Sequence, residues 1–468
     1  MMKRTAFAFA VIFLIFETGI VPAIAHETNE SSYGASRGNW LYVGGSGPGN
    51  YTSIQDAIDN TTDGDTVYVF PGTYAERIVI PNTISLLGSN ASTTVIDGEY
   101  NNDEIITCIG SDIIISGFTI QKSTFNHSCI LINHTAGCVI DGNIIQDTGS
   151  GITTRNAHNI SITQNSFYQI SNGYAKGGGV HLVKSSYCEV LENRFINNQN
   201  QTKNENIGIA IYTDDDCHRC TLSQNTISFW MCGIYIYGTH LLITHNEILD
   251  TTYGAADALT SLHGCTTKQV TIRQNLFKNN KQGIHLCGST DYSIENNVIQ
   301  NSSLVGIYIL EDTWVGVIPE NVSIKDNHIM DSVQGIVSEN SINMTIEGNH
   351  IHHNTLGLLL HYNTVTSVKR NTFQDNNKNV FYLWAFFPMS LIPVKVPRFD
   401  RNFWDQPHES PYPIAGRLGL FEPCIFFDPI HIFPWVTFDW HPAEDPYDIG
   451  GGMFDTELDE EFATSQRG

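Results

Sequence analysis

The sequence predicts an all-β solenoid of parallel strands stacked coil on coil, and three observations carry that reading. An Asn recurs at a base spacing of 21 or 22 residues, apolar residues hold fixed positions on either side of it, and charge is scarce. Aligned on that Asn, the repeats fall at Asn143, Asn165, Asn193, Asn225, Asn246, Asn275, Asn297, Asn327, Asn349 and Asn371. Successive intervals are 22, 28, 32, 21, 29, 22, 30, 22 and 22, which is one coil size with loops of 6 to 11 residues inserted. Of 468 residues only 24 are Lys or Arg and 48 are Asp or Glu, against 39 Gly and 41 Asn. The resulting net charge of −24 excludes a nucleic-acid binder that works by neutralising phosphates. A hydrophobic fraction of 41% argues equally against a disordered chain.

The elements follow in order. Lys3 and Arg4 precede an apolar run from Ala6 to Phe16, and Ala23-Ile24-Ala25 supplies a small-x-small cleavage site, so residues 1–25 read as a secretory signal and 26–38 as a linker. Later in the chain no run of about 20 apolar residues offers a transmembrane anchor. Export to the cell surface or medium is therefore expected, and eleven Asn-x-Ser/Thr sequons, Asn321 and Asn343 among them, fit an exported glycoprotein. Residues 39–110 are assigned to an N-terminal cap and first coils. There Ser53 to Asp59 predicts a short helix laying Ile54, Ala57 and Ile58 over the open end of the solenoid, whose strand edges would otherwise be bare.

Residues 111–404 carry the repeats, about twelve coils in all. Two residues after the Asn stand only Ile and Phe, as in Ile248, Phe277 and Ile299; three before it stand Ile, Val and Leu, as in Ile272 and Ile294. Polar residues dominate between these columns, the period of two that a half-buried strand requires. A second strand opens on Gly, as in Gly179-Val180, Gly208-Ile209, Gly233-Ile234, Gly283-Ile284 and Gly306-Ile307. The recurring Asn reads as a turn residue whose amide bonds its equivalents above and below, as in other stacked chains. Arg273, Glu295, Lys325, Glu347 and Lys369 form an outward ladder of alternating sign. Residues 405–450, rich in Pro, Phe and Trp, read as an irregular C-terminal cap, and 451–468 as a disordered acidic tail.

These repeats, with the N-terminal run Tyr51 to Asp59, Gly64-Asp65-Thr66-Val67-Tyr68-Val69 and Pro71-Gly72-Thr73-Tyr74, resemble the secreted right-handed parallel β-helix proteins of the pectin-lyase-like superfamily, and the archaeal NosD-like group in particular. The resemblance spans about residues 39–450. It implies a right-handed coil, substrate binding on an exposed strand face and its turns where members act on carbohydrate, and an association with copper delivery in NosD-like members.

Three site readings follow. In the second strand, the residue two after the Gly is expected to point outward and reads His181, Ala210, Tyr235, Thr260, His285 and Tyr308, with Ala258 at the Gly position for Thr260. With Glu311 and Trp314 in a following turn, this face suits a polysaccharide or surface glycan, because sugars offer apolar faces and many hydroxyls. Catalysis would need paired carboxylates about 5 to 9.5 Å apart, and the candidates are Asp214, Asp215 and Asp216 together, or Asp291 with Asp312. A lyase would need an acid-bound calcium ion and a basic residue, and no convincing Arg stands on this face. Binding without cleavage, by a monomer, is the favoured reading, ahead of a polysaccharide lyase or glycoside hydrolase. Third, His328 and His350 share one outward column, Met330 and His352 the next, a donor set suited to copper. Cys138, Cys188 and Cys220 fall in an inward column, and adjacent Cys188 and Cys220 are candidates for a disulfide in an exported chain.

Overall fold

The computed structural model describes residues 38–124, 126–170, 178–197, 208–214, 216–256, 267–312, 316–363, 365–386, 397–408, 411–420 and 430–447. The expected signal, linker and acidic tail, together with Asp215, Ala258, Thr260 and Trp314, lie outside them. Among the described residues, almost entirely parallel strands form one sheet of 30 strands and one of 14, and twelve of the 14 lie in residues 111–404, in line with the dozen coils expected there.

Each regular coil holds three short strands rather than two. In one coil they are Gln282–Cys287, Thr290–Glu295 and Val298–Gln300. They pair in parallel with Val305–Leu310, Ser323–Lys325 and His328–Met330 of the next coil. The extra break has a local cause. The residue before the repeat Asn is left-handed, with φ of +54° at Gln274, +55° at Asn296 and +52° at Asp326, so a strand cannot run through the corner.

The corner Asn is buried and fully bonded. Asn275 donates its backbone N–H and its amide Nδ2 to Asn297 Oδ1, both at 3.0 Å, and Nδ2 also donates to the Ile243 carbonyl of the previous coil. Asn297 does the same to Asn327 and Ile272. The chain of amides runs from Asn143 to Asn402, where the buried Asp439 carboxylate ends it by accepting from the Asn402 backbone and amide and from Trp404 Nε1. Each side chain satisfies donors that a buried corner would otherwise leave orphaned.

Inside, the predicted columns are fully buried, including Ile145, Phe167, Phe195, Phe277 and Phe373. Phe167 and Phe195 stack at 4.4 Å, and near the C-terminal end Phe373, Trp404 and Tyr412 form a second stack at 4.7 and 4.5 Å. The Gly column reflects close approach of backbones: a Cβ on Gly283 would sit 2.6 Å from the Gly306 carbonyl oxygen. This contact also corrects the register. Ala210, not Gly208, lies over Gly179, and Gly254, not residue 258, lies over Gly233.

The N-terminal helix forms at Ile54–Ile58 with Ile54, Ala57 and Ile58 buried. Ser53 caps it, and the Glu76 carboxylate accepts from the Ile54 and Gln55 backbone N–H groups. The C-terminal segment expected to be irregular instead forms an antiparallel pair, Tyr412–Leu420 with Ile430–Asp439. Pro413 and Pro434 are accommodated there because this pair is the last in the array. The charge ladder is in register from Arg273 through Glu295, Lys325 and Glu347 to Lys369, whose Nζ lies 3.2 Å from Glu347. Cys188 and Cys220 are buried thiols rather than a disulfide, with Cys188 Sγ 3.5 Å from the Ser186 carbonyl oxygen, and all eight described cysteines are free.

Candidate functional site

Two outward faces gather chemically able side chains. On the 30-stranded sheet, strand pairing lines up Thr153, His181, Tyr212, Tyr235, Ala256, His285 and Tyr308 in successive coils. Tyr212 therefore holds the place expected for Ala210, which is fully buried, and Ala256 the place expected for Thr260. The misalignment arises in two coils with long insertions, at Asn-to-Asn intervals of 32 and 29 residues, where counting residues from a Gly loses the register.

Neighbouring columns thicken the face with Tyr253 and Tyr237. Ring centroids lie 4.4 Å apart for His181 and Tyr212, 5.3 Å for Tyr212 and Tyr235, 5.1 Å for Tyr235 and Tyr237, and 5.4 Å for Tyr253 and His285 and for His285 and Tyr308. The wall is less open than expected: Tyr235 is only 6% exposed and Ala256 is buried, while His181, Tyr212, Tyr237, Tyr253, His285 and Tyr308 are half-buried. Burial lowers the His285 pKa to about 4, so the ring is neutral at physiological pH, and its Nδ1 meets Gln282 Oε1 at 2.7 Å.

At one end of this wall the Tyr308 phenol is held protonated by burial and by the Glu339 carboxylate beside it. Glu339 is kept ionised by His361, whose Nδ1 is 3.9 Å away. Glu339 and His361 escaped the sequence reading, although they occupy the outward column two residues beyond that of Tyr308. Glu311 accepts from the Asn340 amide at 2.7 Å. A second aromatic group also went unnoticed, although the alternation of Trp40, Tyr42, Tyr68 and Phe70 announces it: Trp40 and Tyr42 are 54% and 41% exposed, and Tyr68 and Phe70 lie 5.3 Å apart beside them.

Asp291 and Asp312 do not face each other. Across from Asp291 the register puts Asn321, whose amide donates to it at 3.0 Å, and Asp312 is buried against Gly288 and Val317. Asp214 is half-buried and Asp216 exposed, with Lys184 3.5 Å from Asp216.

The second face lies on the 14-stranded sheet. His328 pairs across to His350, and Met330 to His352. His328 Nε2 is 2.6 Å from His350 Nδ1, and the rings of His350 and His352 are 4.3 Å apart. Nitrogens of all three His lie within 4.8 Å of one another. Burial, reinforced by the neighbouring imidazoles, lowers the His350 pKa to about 4 and that of His352 to about 3, so both present lone pairs at neutral pH. Met330 is 6% exposed. Among the described residues this is the group of three metal-ligating side chains, and imidazole suits copper or zinc, whereas calcium takes oxygen ligands.

Residues 215–385 match a family model described as periplasmic copper-binding protein (NosD), and residues 104–268 one described as right handed beta helix region. A cell surface glycoprotein of Methanothermus fervidus is 34% identical over 99 residues, 21% of this chain but only 16% of the relative. The surface adhesin PfbA of Streptococcus pneumoniae superposes with a TM-score of 0.52 at 16% identity, over 67% of this chain and 87% of the adhesin. A family 28 exopolygalacturonase of Yersinia enterocolitica reaches 0.49 at 13% identity, over 70% of this chain and 73% of the enzyme. Among the described residues no helix is long and apolar enough to cross a membrane. With its stacked coils and these two matches, the chain has the right-handed parallel β-helix fold, and its residues 215–385 are similar to the NosD family.

Proposed function

We propose that this is an extracellular or cell-surface β-helix protein that binds a polysaccharide or surface glycan along its aromatic wall without cleaving it. The observation that carries the reading is the run of half-buried rings from His181 and Tyr212 to Tyr308, bordered by Glu339, His361 and Glu311. Rings at this spacing offer flat apolar surface to successive sugar faces. The phenols, the carboxylates and the neutral His285 supply hydrogen-bonding groups for hydroxyls. A surface location is supported by the Methanothermus cell surface glycoprotein and by the eleven sequons. Binding is favoured over cleavage because Asp291 faces Asn321 rather than a second carboxylate.

Glycan-array binding and assays for new reducing ends or unsaturated products test this together. Retention on at least one glycan is expected, weakened about tenfold or more in Tyr237→Ala/Tyr308→Ala, with no product formed. No retention on any glycan, or a double variant indistinguishable from wild type, would sink the binding reading; product formation would make the protein an enzyme.

A further inference from the structure

The exposed aromatic group at Trp40 and Tyr42 has nothing seated on it to say what covers it. The sequons Asn321 and Asn343 are bonded to each other, amide to carbonyl, at 2.6 Å in adjacent coils, a contact that by itself implies only that they share space. The three imidazoles of the 14-stranded sheet carry more.

We propose that His328, His350 and His352 form a binding site for one borderline divalent transition-metal ion, Zn(II) or Cu(II), with a fourth position left for water or an outside ligand. The scaffold brings the donors together. His328 and His350 are adjacent rungs of one column, and His352 stands two residues along the same strand, so all three project from one face of the sheet. Their candidate nitrogens already lie within 4.8 Å of one another. Ligand nitrogens about 2.0 to 2.1 Å from a tetrahedral ion are about 3.4 Å apart, so modest ring rotations close the site.

The unmet polar atoms point the same way. His352 Nε2 is buried with no hydrogen-bond partner, a state that ordinarily costs stability and that a metal would relieve. Its other nitrogen is engaged: His352 Nδ1 lies 2.7 Å from His353 Nδ1, and His353 Nε2 lies 4.0 Å from Asp375. A proton on His352 Nδ1 directs the lone pair to Nε2, the outer-shell arrangement that orients metal-bound imidazoles. Gln374 stands opposite His352 in the next coil and beside His350. Met330, opposite His352 in the preceding coil, brings a thioether that copper accepts and zinc does not favour. His350 Nε2 is likewise buried without a hydrogen-bond partner, so both histidines of this strand have an unmet nitrogen within the one group.

The full chain, stripped with chelator, is titrated calorimetrically with ZnCl2, with CuSO4 and with CaCl2. One Zn(II) or Cu(II) per chain at micromolar or tighter affinity is expected, with calcium silent. His352→Ala and His352→Gln should each weaken binding at least 100-fold while the circular dichroism spectrum and melting temperature of the metal-free protein hold. His408→Ala, a His outside the group, should bind as wild type. Copper-loaded protein should show nitrogen hyperfine structure in electron paramagnetic resonance that diminishes in His350→Ala. Met330→Leu sorts the ions: weakened copper with unchanged zinc assigns copper, and no change assigns zinc. Zero stoichiometry for both ions, equal affinity for calcium, or undiminished affinity in a folded His352 variant would overturn the site. The glycan-binding readout uses the other sheet, so either reading can fail without the other.

Discussion

Two columns of polar side chains run up this solenoid and are treated in opposite ways. At the inner corner, each Asn from Asn143 to Asn402 hands its backbone and amide N–H groups to the next coil, each from Asn165 onward accepts two from the coil before, and the Asp439 carboxylate closes the series. On the outer wall of the 14-stranded sheet, His350 and His352 are half-buried, and the buried His352 Nε2 has no hydrogen-bond partner. A buried polar group that is fully bonded holds a fold together, whereas one without a partner calls for an explanation such as a bound ion or water. The low charge of the chain belongs to the first kind, since amides stack in register without the repulsion that like charges would bring.

The largest effect should come from the apolar column behind the corner. Phe277→Ala is expected to destabilise by about 3 to 5 kcal/mol in denaturant unfolding; a loss under ~1 kcal/mol would contradict its burial between Ile248 and Ile299. Next is the corner itself. Asn297→Ala strips the acceptor from both N–H groups of Asn275 and the donor from the Ile272 carbonyl, so about 3 kcal/mol should be lost. The outer wall should respond with the opposite sign: His352→Phe removes the unbonded Nε2 at the cost of only an exposed Nδ1 contact with His353 and should stabilise the metal-free protein by about 1 kcal/mol. If Asn297→Ala were neutral and His352→Phe costly, the contrast between the two columns would be wrong.

A pH scan sharpens the same contrast on the aromatic wall. His285 has its pKa lowered from 6.5 to about 4, so between those values the unfolded chain takes up a proton that the folded chain refuses. Its contribution to stability is intact above pH 6.5 and falls as pH drops toward 4, and His285→Gln should flatten that part of the unfolding-midpoint profile. The smallest effect is expected at the charge ladder. Lys369→Ala breaks a partly exposed pair with Glu347 and should change stability by less than ~1 kcal/mol.

The histidine site was legible because the interval between Asn327 and Asn349 is an uninterrupted 22 residues, so residues at equal offsets fall in one column. The aromatic wall was only half legible. Insertions before Tyr212 and after Ala256 defeat residue counting, and Tyr212 and Tyr253 were missed while Ala210 and Thr260 were put in their place. Strand pairing restores the order because hydrogen-bond register, unlike spacing, is indifferent to loop length. Glu339 and His361 were missed for a simpler reason: the outward column was followed for one position when the strand continues for another two.

By itself the sequence determined the solenoid, its buried columns and the corner Asn, because period-two alternation and a 22-residue repeat are local properties of the chain. The tertiary structure alone decided that each coil bends three times, that His352 keeps its Nε2 unbonded, and that Asp439, 37 residues beyond Asn402, ends the amide ladder. Those outcomes depend on which groups meet across coils, and that is settled by register and burial rather than by any one coil.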